Sequence, residues 1–133
     1  MKGRSYMQAI IRYELVINEA LRSALMLDTP DEQIDEFIRF FGKHIGCDRI
    51  YIFEDNKKEH VTDNTYEWCR QGIESEIDYL QGVDMDIIDW WYKAFDKKEN
   101  VIIRDVETIK NEHVYTYNTL KIQNVKRLVV CPI

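Results

Sequence analysis

The chain has 133 residues, with 18 Lys and Arg against 24 Asp and Glu, so it carries a formal charge of −6 with histidine neutral and has room for one domain. Hydrophobic residues make up 45% and charged residues 32%, which provides for a core and excludes a disordered or fibrous chain. A nucleic-acid partner is also excluded, because the phosphates need a basic stripe and the densest positive clusters, Lys57–Lys58 and Lys97–Lys98, are each flanked by acidic residues.

No run of ~18 apolar residues is present, and Met1–Ile10 contains Lys2, Arg4, Ser5 and Gln8 where a signal peptide needs an apolar segment. Neither membrane insertion nor secretion is therefore expected. Cys47, Cys69 and Cys131 lie too far apart for a disulfide framework or a metal knuckle, so the expectation is a cytoplasmic protein with reduced thiols.

Tyr6 to Leu27 has neither Gly nor Pro, and Ile10, Tyr13, Ile17, Ala20, Ala24 and Leu27 recur at spacings of three and four. That seam predicts a helix able to pair with a second copy, although it is shorter than a full coiled coil; packing into its own core is the other reading. A second row, Ile11, Leu15, Leu21 and Leu25, lies on a different side, so the helix can touch both its own domain and a partner. Residues 1–27 are accordingly read as a linker and dimerisation helix, and residues 28–133 as the domain proper.

Thr29-Pro30-Asp31-Glu32 spells a helix start: a capping threonine, a proline where no amide hydrogen is needed, and a glutamate that closes a capping box. Ile34, Phe37, Ile38, Phe41 and Ile45 form a buried stripe, Asp31, Glu32, Asp35, Glu36 and Arg39 the wet side, and Gly46 the stop. The period then changes to that of a strand at Ile50–Glu54. Asp55–Lys58 forms a turn, and an extended stretch from about Glu59 to Cys69 completes a hairpin. Gly72 and Gly82 bracket an irregular stretch. A helix carrying Ile87, Ile88, Trp91, Ala94 and Phe95 follows, then a strand at Asn100–Arg104, a weaker helix at about Asn111–Ile122, and a strand at Leu128–Cys131. This order predicts an α+β domain with a mainly antiparallel sheet.

The motifs that announce catalysis, G-x-S-x-G, a phosphate-cradling glycine loop, H-E-x-x-H and Cys-x-x-Cys, are missing. The acidic run from Glu74 to Asp89 lacks the ligand pattern of a calcium loop. His44, His60 and His113 have no carboxylate or cysteine at ligand spacing in sequence. No metal site is expected, and no cofactor is indicated. Two aromatic clusters are more informative: Thr65-Tyr66-Glu67-Trp68-Cys69 and Trp90-Trp91-Tyr92. Aromatic walls with a few polar tips suit a small-molecule pocket, and the same side chains also suit a packed core. Cys69 and Cys131 have no base nearby in sequence and read as small buried hydrophobes.

Cys47-Asp48-Arg49-Ile50-Tyr51-Ile52-Phe53-Glu54, Asn64-Thr65-Tyr66-Glu67-Trp68-Cys69 with Gly72-Ile73, Trp90-Trp91, Val101-Ile102, Asp105-Val106 and Leu128-Val129-Val130 with Pro132-Ile133 together resemble the GAF domain. The likeness is to the bacterial subgroup found beside diguanylate cyclases and sensor histidine kinases. It runs from about Leu27 to Ile133, and the Asn-Thr-Tyr-Glu-Trp-Cys block is its most specific part. The resemblance implies a central antiparallel sheet flanked by helices, with a ligand cavity between them. It further implies a regulatory module that binds an unidentified small-molecule effector, biases an attached output module and does no catalysis itself.

Tyr66, Trp68, Trp91, Asp105 and Cys131 are the pocket candidates: the three aromatics as walls, and Asp105 as a hydrogen-bond acceptor or a cation's partner. A bilin-anchoring Cys-His pair is absent, and Asn56-Lys57 begins the cyclic-nucleotide signature without its remainder. A methionine-sulfoxide reductase of this fold would need paired cysteines, which the spacing of Cys47, Cys69 and Cys131 does not offer. A degenerate domain that only dimerises is the alternative function. The family pattern continues past Pro132-Ile133 into a further strand and a C-terminal helix. The expectation is therefore that the last strand pairs with Ile50–Glu54, or that a homodimer forms through that edge or through the N-terminal helix.

Overall fold

The computed structural model describes residues 2–133, with side chains for Gln8 and residues 12–133. The elements are α1 (Lys2–Leu25), α2 (Pro30–Ile45), β1 (Arg49–Asn56), β2 (Val61–Cys69), β3 (Val83–Asp84), α3 (Asp89–Asp96), β4 (Val101–Ile103), α4 (Val114–Ile122) and β5 (Leu128–Val130). Short 3-10 helices occupy Ile77–Tyr79, Met85–Ile88 and Val106–Ile109. The fold is α+β with antiparallel pairing, as expected. Its strands, however, fall into two sheets, β1-β2-β3 and β4-β5. The last strand takes β4 as its partner rather than Ile50–Glu54, in the register Val101↔Val130, Ile102↔Val129 and Ile103↔Leu128. That pairing seals a local apolar cluster.

The chain divides into two compact units, Met1–Glu54 with Asp63–Gln81, and Asp55–Thr62 with Gly82–Ile133. In the first, α2 begins as its sequence dictates: the Glu32 amide donates to Thr29 Oγ1 (3.3 Å) and the Thr29 amide to Glu32 Oε2 (3.3 Å), with Pro30 in the first turn. Gly46 ends the helix in the left-handed conformation at φ 75°, where glycine has no steric penalty.

Helices α1 and α2 pack together, and Ala20 and Ala24 are buried. Ser23 Oγ donates to Glu36 Oε1 at 2.5 Å, and Arg39 donates to both Glu36 carboxylate oxygens at 2.7 Å. Glu36, read from sequence as part of the wet face, is thus partly covered, and these bonds hold its carboxyl down to about 2, Arg39 contributing most and Ser23 next. Lower on α2, Gly42 lies so close to β2 that an added Cβ would stand 2.4 Å from Trp68 Cε3 and 3.0 Å from Ile50 Cδ1.

Asn64 on β2 is 1% exposed, and with its side-chain amide assigned so that the nitrogen faces the two neighbouring carbonyls it donates to Tyr66 O (2.7 Å) and Ile52 O (3.1 Å). Its backbone N–H donates to Leu80 O (2.9 Å), and its carbonyl accepts from Gln81 Nε2 (2.8 Å). The bonds to Leu80 and Gln81 fix the position of the segment that returns after the strand.

In the second unit Val101, Ile103, Val106 and Leu120 form the core, covered by Trp90, Trp91, Phe95, Ile109, Val125, Leu128 and others. Strand alternation explains the selection: Val101 and Ile103 point inward while Ile102 between them is exposed, with Val129 opposite it also exposed.

Candidate functional site

Tyr66 and Trp68 stand two residues apart on β2, on one face of the strand. Tyr66 donates its hydroxyl hydrogen to Asp31 at the start of α2. It lines an open cleft of ≈ 500 Å³ together with Thr65, Ile77 and the carboxylates of Asp31, Asp35, Glu54 and Glu67. The Asp31 hydrogen bond, then covering by neighbours and the charges of Asp31, Glu54 and Asp35, push the Tyr66 phenol up to about 12, so it stays a neutral donor. Glu67 is tied down by Ser75 and by the Glu76 amide (3.0 Å).

Arg49 clamps the same loop, donating to Glu74 O through Nε (3.0 Å) and Nη2 (2.8 Å) and pairing with Glu76 at 3.6 Å. Trp68 is the neighbour of Gly42; its ring is packing, with an edge against the helix backbone. Of the five pocket candidates, Tyr66 is the one that lines this cleft.

The other three lie in the second unit. Trp91 packs on the core there, edge-on to Trp90 at 6.0 Å between centroids, and its indole Nε1 is a buried donor with no acceptor among the described residues. Its neighbour is fully satisfied by contrast: Trp90 donates Nε1–H to Thr116 Oγ1 (2.9 Å), Thr116 passes its own hydrogen to Ile87 O (2.5 Å), and the Trp90 ring stacks on His113 at 4.0 Å. Asp105 is occupied as a cap, its Oδ1 accepting from the Glu107 amide at 3.0 Å at the start of the 3-10 helix Val106–Ile109. The sequence Asp105-Val106-Glu107-Thr108 carried that signal, since an aspartate one residue before a helical turn is a standard cap. Cys131 is exposed after β5.

Of the dimerisation candidates, Ala20 and Ala24 are buried, whereas Tyr13, Ile17 and Leu27 are exposed, as are Leu15, Leu21 and Leu25 of the second row. Ile10 and Ile11 belong to α1, but their side chains lie outside the described residues. A groove of ≈ 390 Å³ between α1 and α2, lined by Leu15, Val16, Phe40 and His44 among others, was not anticipated from sequence. Phe40 and His44 are one helical turn apart and stack at 4.1 Å, a pairing that i,i+4 spacing on α2 could have revealed.

Burial raises the thiols of both Cys47 and Cys69, which opposes the thiolate that a nucleophile needs. His60, at the end of the hairpin turn, meets Asp86 at 2.8 Å across 26 residues of sequence. That bond and the charges of Asp86, Asp84 and Asp89 raise its imidazole, so protonation is favoured.

The chain matches no protein-family model and no curated protein. Among the described residues, no helix is long and apolar enough to cross a membrane.

Proposed function

We propose that the chain is a GAF-like regulatory domain that binds a small-molecule effector and controls an attached output module, such as a diguanylate cyclase or a histidine kinase, in bacterial cytoplasmic signal transduction. On this reading it performs no catalysis of its own. The observation that carries it is Trp91: an aromatic nominated from sequence as a pocket wall holds a buried indole N–H with no acceptor among the described residues. A buried unpaired donor costs ~1–3 kcal/mol, and a ligand oxygen that accepts from it converts that cost into affinity and orientation. Trp91→Phe keeps most of the ring and deletes the donor, so the reading expects the variant to fold at least as stably as the wild type and to lose the effector. Calorimetric titration with the small molecule recovered from the native protein measures the loss; equal affinity in the variant would refute the assignment.

The exposed apolar row on α1 favours a second reading, a domain that only dimerises. Tyr13, Ile17 and Leu21 follow one another at i,i+4 and are uncovered, and their burial against a second copy would supply a driving force that needs no ligand.

A further inference from the structure

We infer that His60, Asp84 and Asp86 form a binding site for a divalent transition-metal ion of the zinc type, at the end of the second unit where the β2 and β3 strands meet. One ligand atom from each residue lies within 4.8 Å of the other two. His60 Nε2 and Asp86 Oδ1 are joined by a hydrogen bond of 2.8 Å; a tetrahedral ion with bonds of ~2.1 Å sets adjacent donors ~3.4 Å apart, so the ion takes the place of the shared proton and the two side chains separate by about 0.6 Å. An imidazole with two carboxylates suits zinc and its first-row neighbours, whereas calcium and magnesium favour all-oxygen sets.

The backbone holds the three positions in place. Val61 pairs with Asp84 and Thr62 with Val83, and the Met85 amide donates to His60 O at 3.1 Å. Met85 is buried between Asp84 and Asp86, so the inward anchor lies between two outward carboxylates. Asp84 Oδ1 also accepts from the Asp86 amide at 2.9 Å, which orients the first carboxylate and leaves its second oxygen for the ion. All three side chains are exposed, so water completes the coordination shell. Two carboxylates face a single imidazole here, and a divalent cation neutralises them.

The position of His60 also makes a clean test possible. Its φ is 58°, a conformation that suits glycine better than histidine, so His60→Gly removes the ligand while relieving the backbone. Titration of the folded chain with zinc chloride, followed by calorimetry, is expected to show one saturable site. His60→Gly and Asp84→Asn are each expected to weaken it by about tenfold or more, with circular dichroism unchanged and calcium failing to compete. Isotherms in both variants that match the wild type would place the zinc elsewhere, on thiols or other imidazoles, and overturn the proposal. So would the absence of saturable uptake at millimolar zinc.

Discussion

Replacing Gly42 by alanine tests whether Trp68 is core or pocket wall. In an open helix interior this change stabilises a protein, because alanine exceeds glycine in helix propensity by ~1 kcal/mol. On α2 the new methyl would stand 2.4 Å from Trp68 Cε3, 2.5 Å from Cζ3 and 3.0 Å from Ile50 Cδ1, where carbon atoms normally keep about 3.5–4.0 Å. The Ile50 methyl can rotate away, but the indole is rigid and has to move as a whole by about 1 Å. Overpacking costs ~1–3 kcal/mol, and a rigid ring that has to move as a whole puts this case in the upper part of that range, about 2–3 kcal/mol; less the propensity gain of ~1 kcal/mol, that leaves a net loss of roughly 1–2 kcal/mol, or about 3–6 °C in Tm for a chain of this size. Urea denaturation followed by far-ultraviolet circular dichroism and tryptophan fluorescence measures it. In a Trp68→Leu background the obstruction is gone, and Gly42→Ala should become stabilising by ~1 kcal/mol. A Gly42→Ala variant of wild-type stability or better, in the presence of Trp68, would refute the packing role and return Trp68 to the list of free walls.

Thr116→Val should destabilise by ~2–3 kcal/mol in denaturant titrations, because it leaves both the Trp90 indole N–H and the Ile87 carbonyl without their shared hydroxyl; a loss below about 0.5 kcal/mol would show that water replaces it. Glu36 lies at about 2 in the folded chain against 4.5 for the free group, so its ionised form adds stability in full above pH 4.5, and that contribution fades as the pH falls towards 2. Glu36→Gln should therefore lower Tm at pH 6 and converge on the wild type near pH 2, as thermal melts across that range would show; a pH-independent gap would contradict the assignment. Leu21→Asp is expected to turn a dimer into a monomer in light scattering after gel filtration without loss of helix signal, and an unchanged mass would remove α1 as the dimer contact.

The parts of this molecule that sequence made legible are those whose causes are local. Thr29-Pro30-Asp31-Glu32 contains every atom of the cap it forms, and Gly46 the freedom its φ requires, so α2 was readable to within a residue. The hairpin and the strands at 101–103 and 128–130 followed from period and turn chemistry for the same reason. Strand β3 was not readable, because its two residues have no period and exist as a strand only by pairing with Val61 and Thr62. The division of the strands into two sheets likewise depends on partners rather than on propensity.

The candidate site divides along the same line. Aromatic residues at 66, 68 and 91 could be found by type, but which of them packs and which holds a free polar atom depends on neighbours distant in sequence: Gly42 for Trp68, Asp31 for Tyr66. Asp105, a candidate ligand acceptor by sequence, is engaged as a cap, a role that its local sequence also supports. His60 has no carboxylate at ligand spacing in sequence, and the two that stand beside it in the fold, Asp84 and Asp86, come from 24 and 26 residues further along the chain.

The central claim, that this is an effector-binding regulatory domain, is tested most directly by native mass spectrometry of the protein purified from cells, wild type beside Trp91→Phe. A small molecule retained by the wild type and released on denaturation, with its occupancy sharply reduced in Trp91→Phe at unchanged fold, is the predicted result. An empty dimer in both, with the variant differing only in stability, would contradict the claim and leave dimerisation as the function.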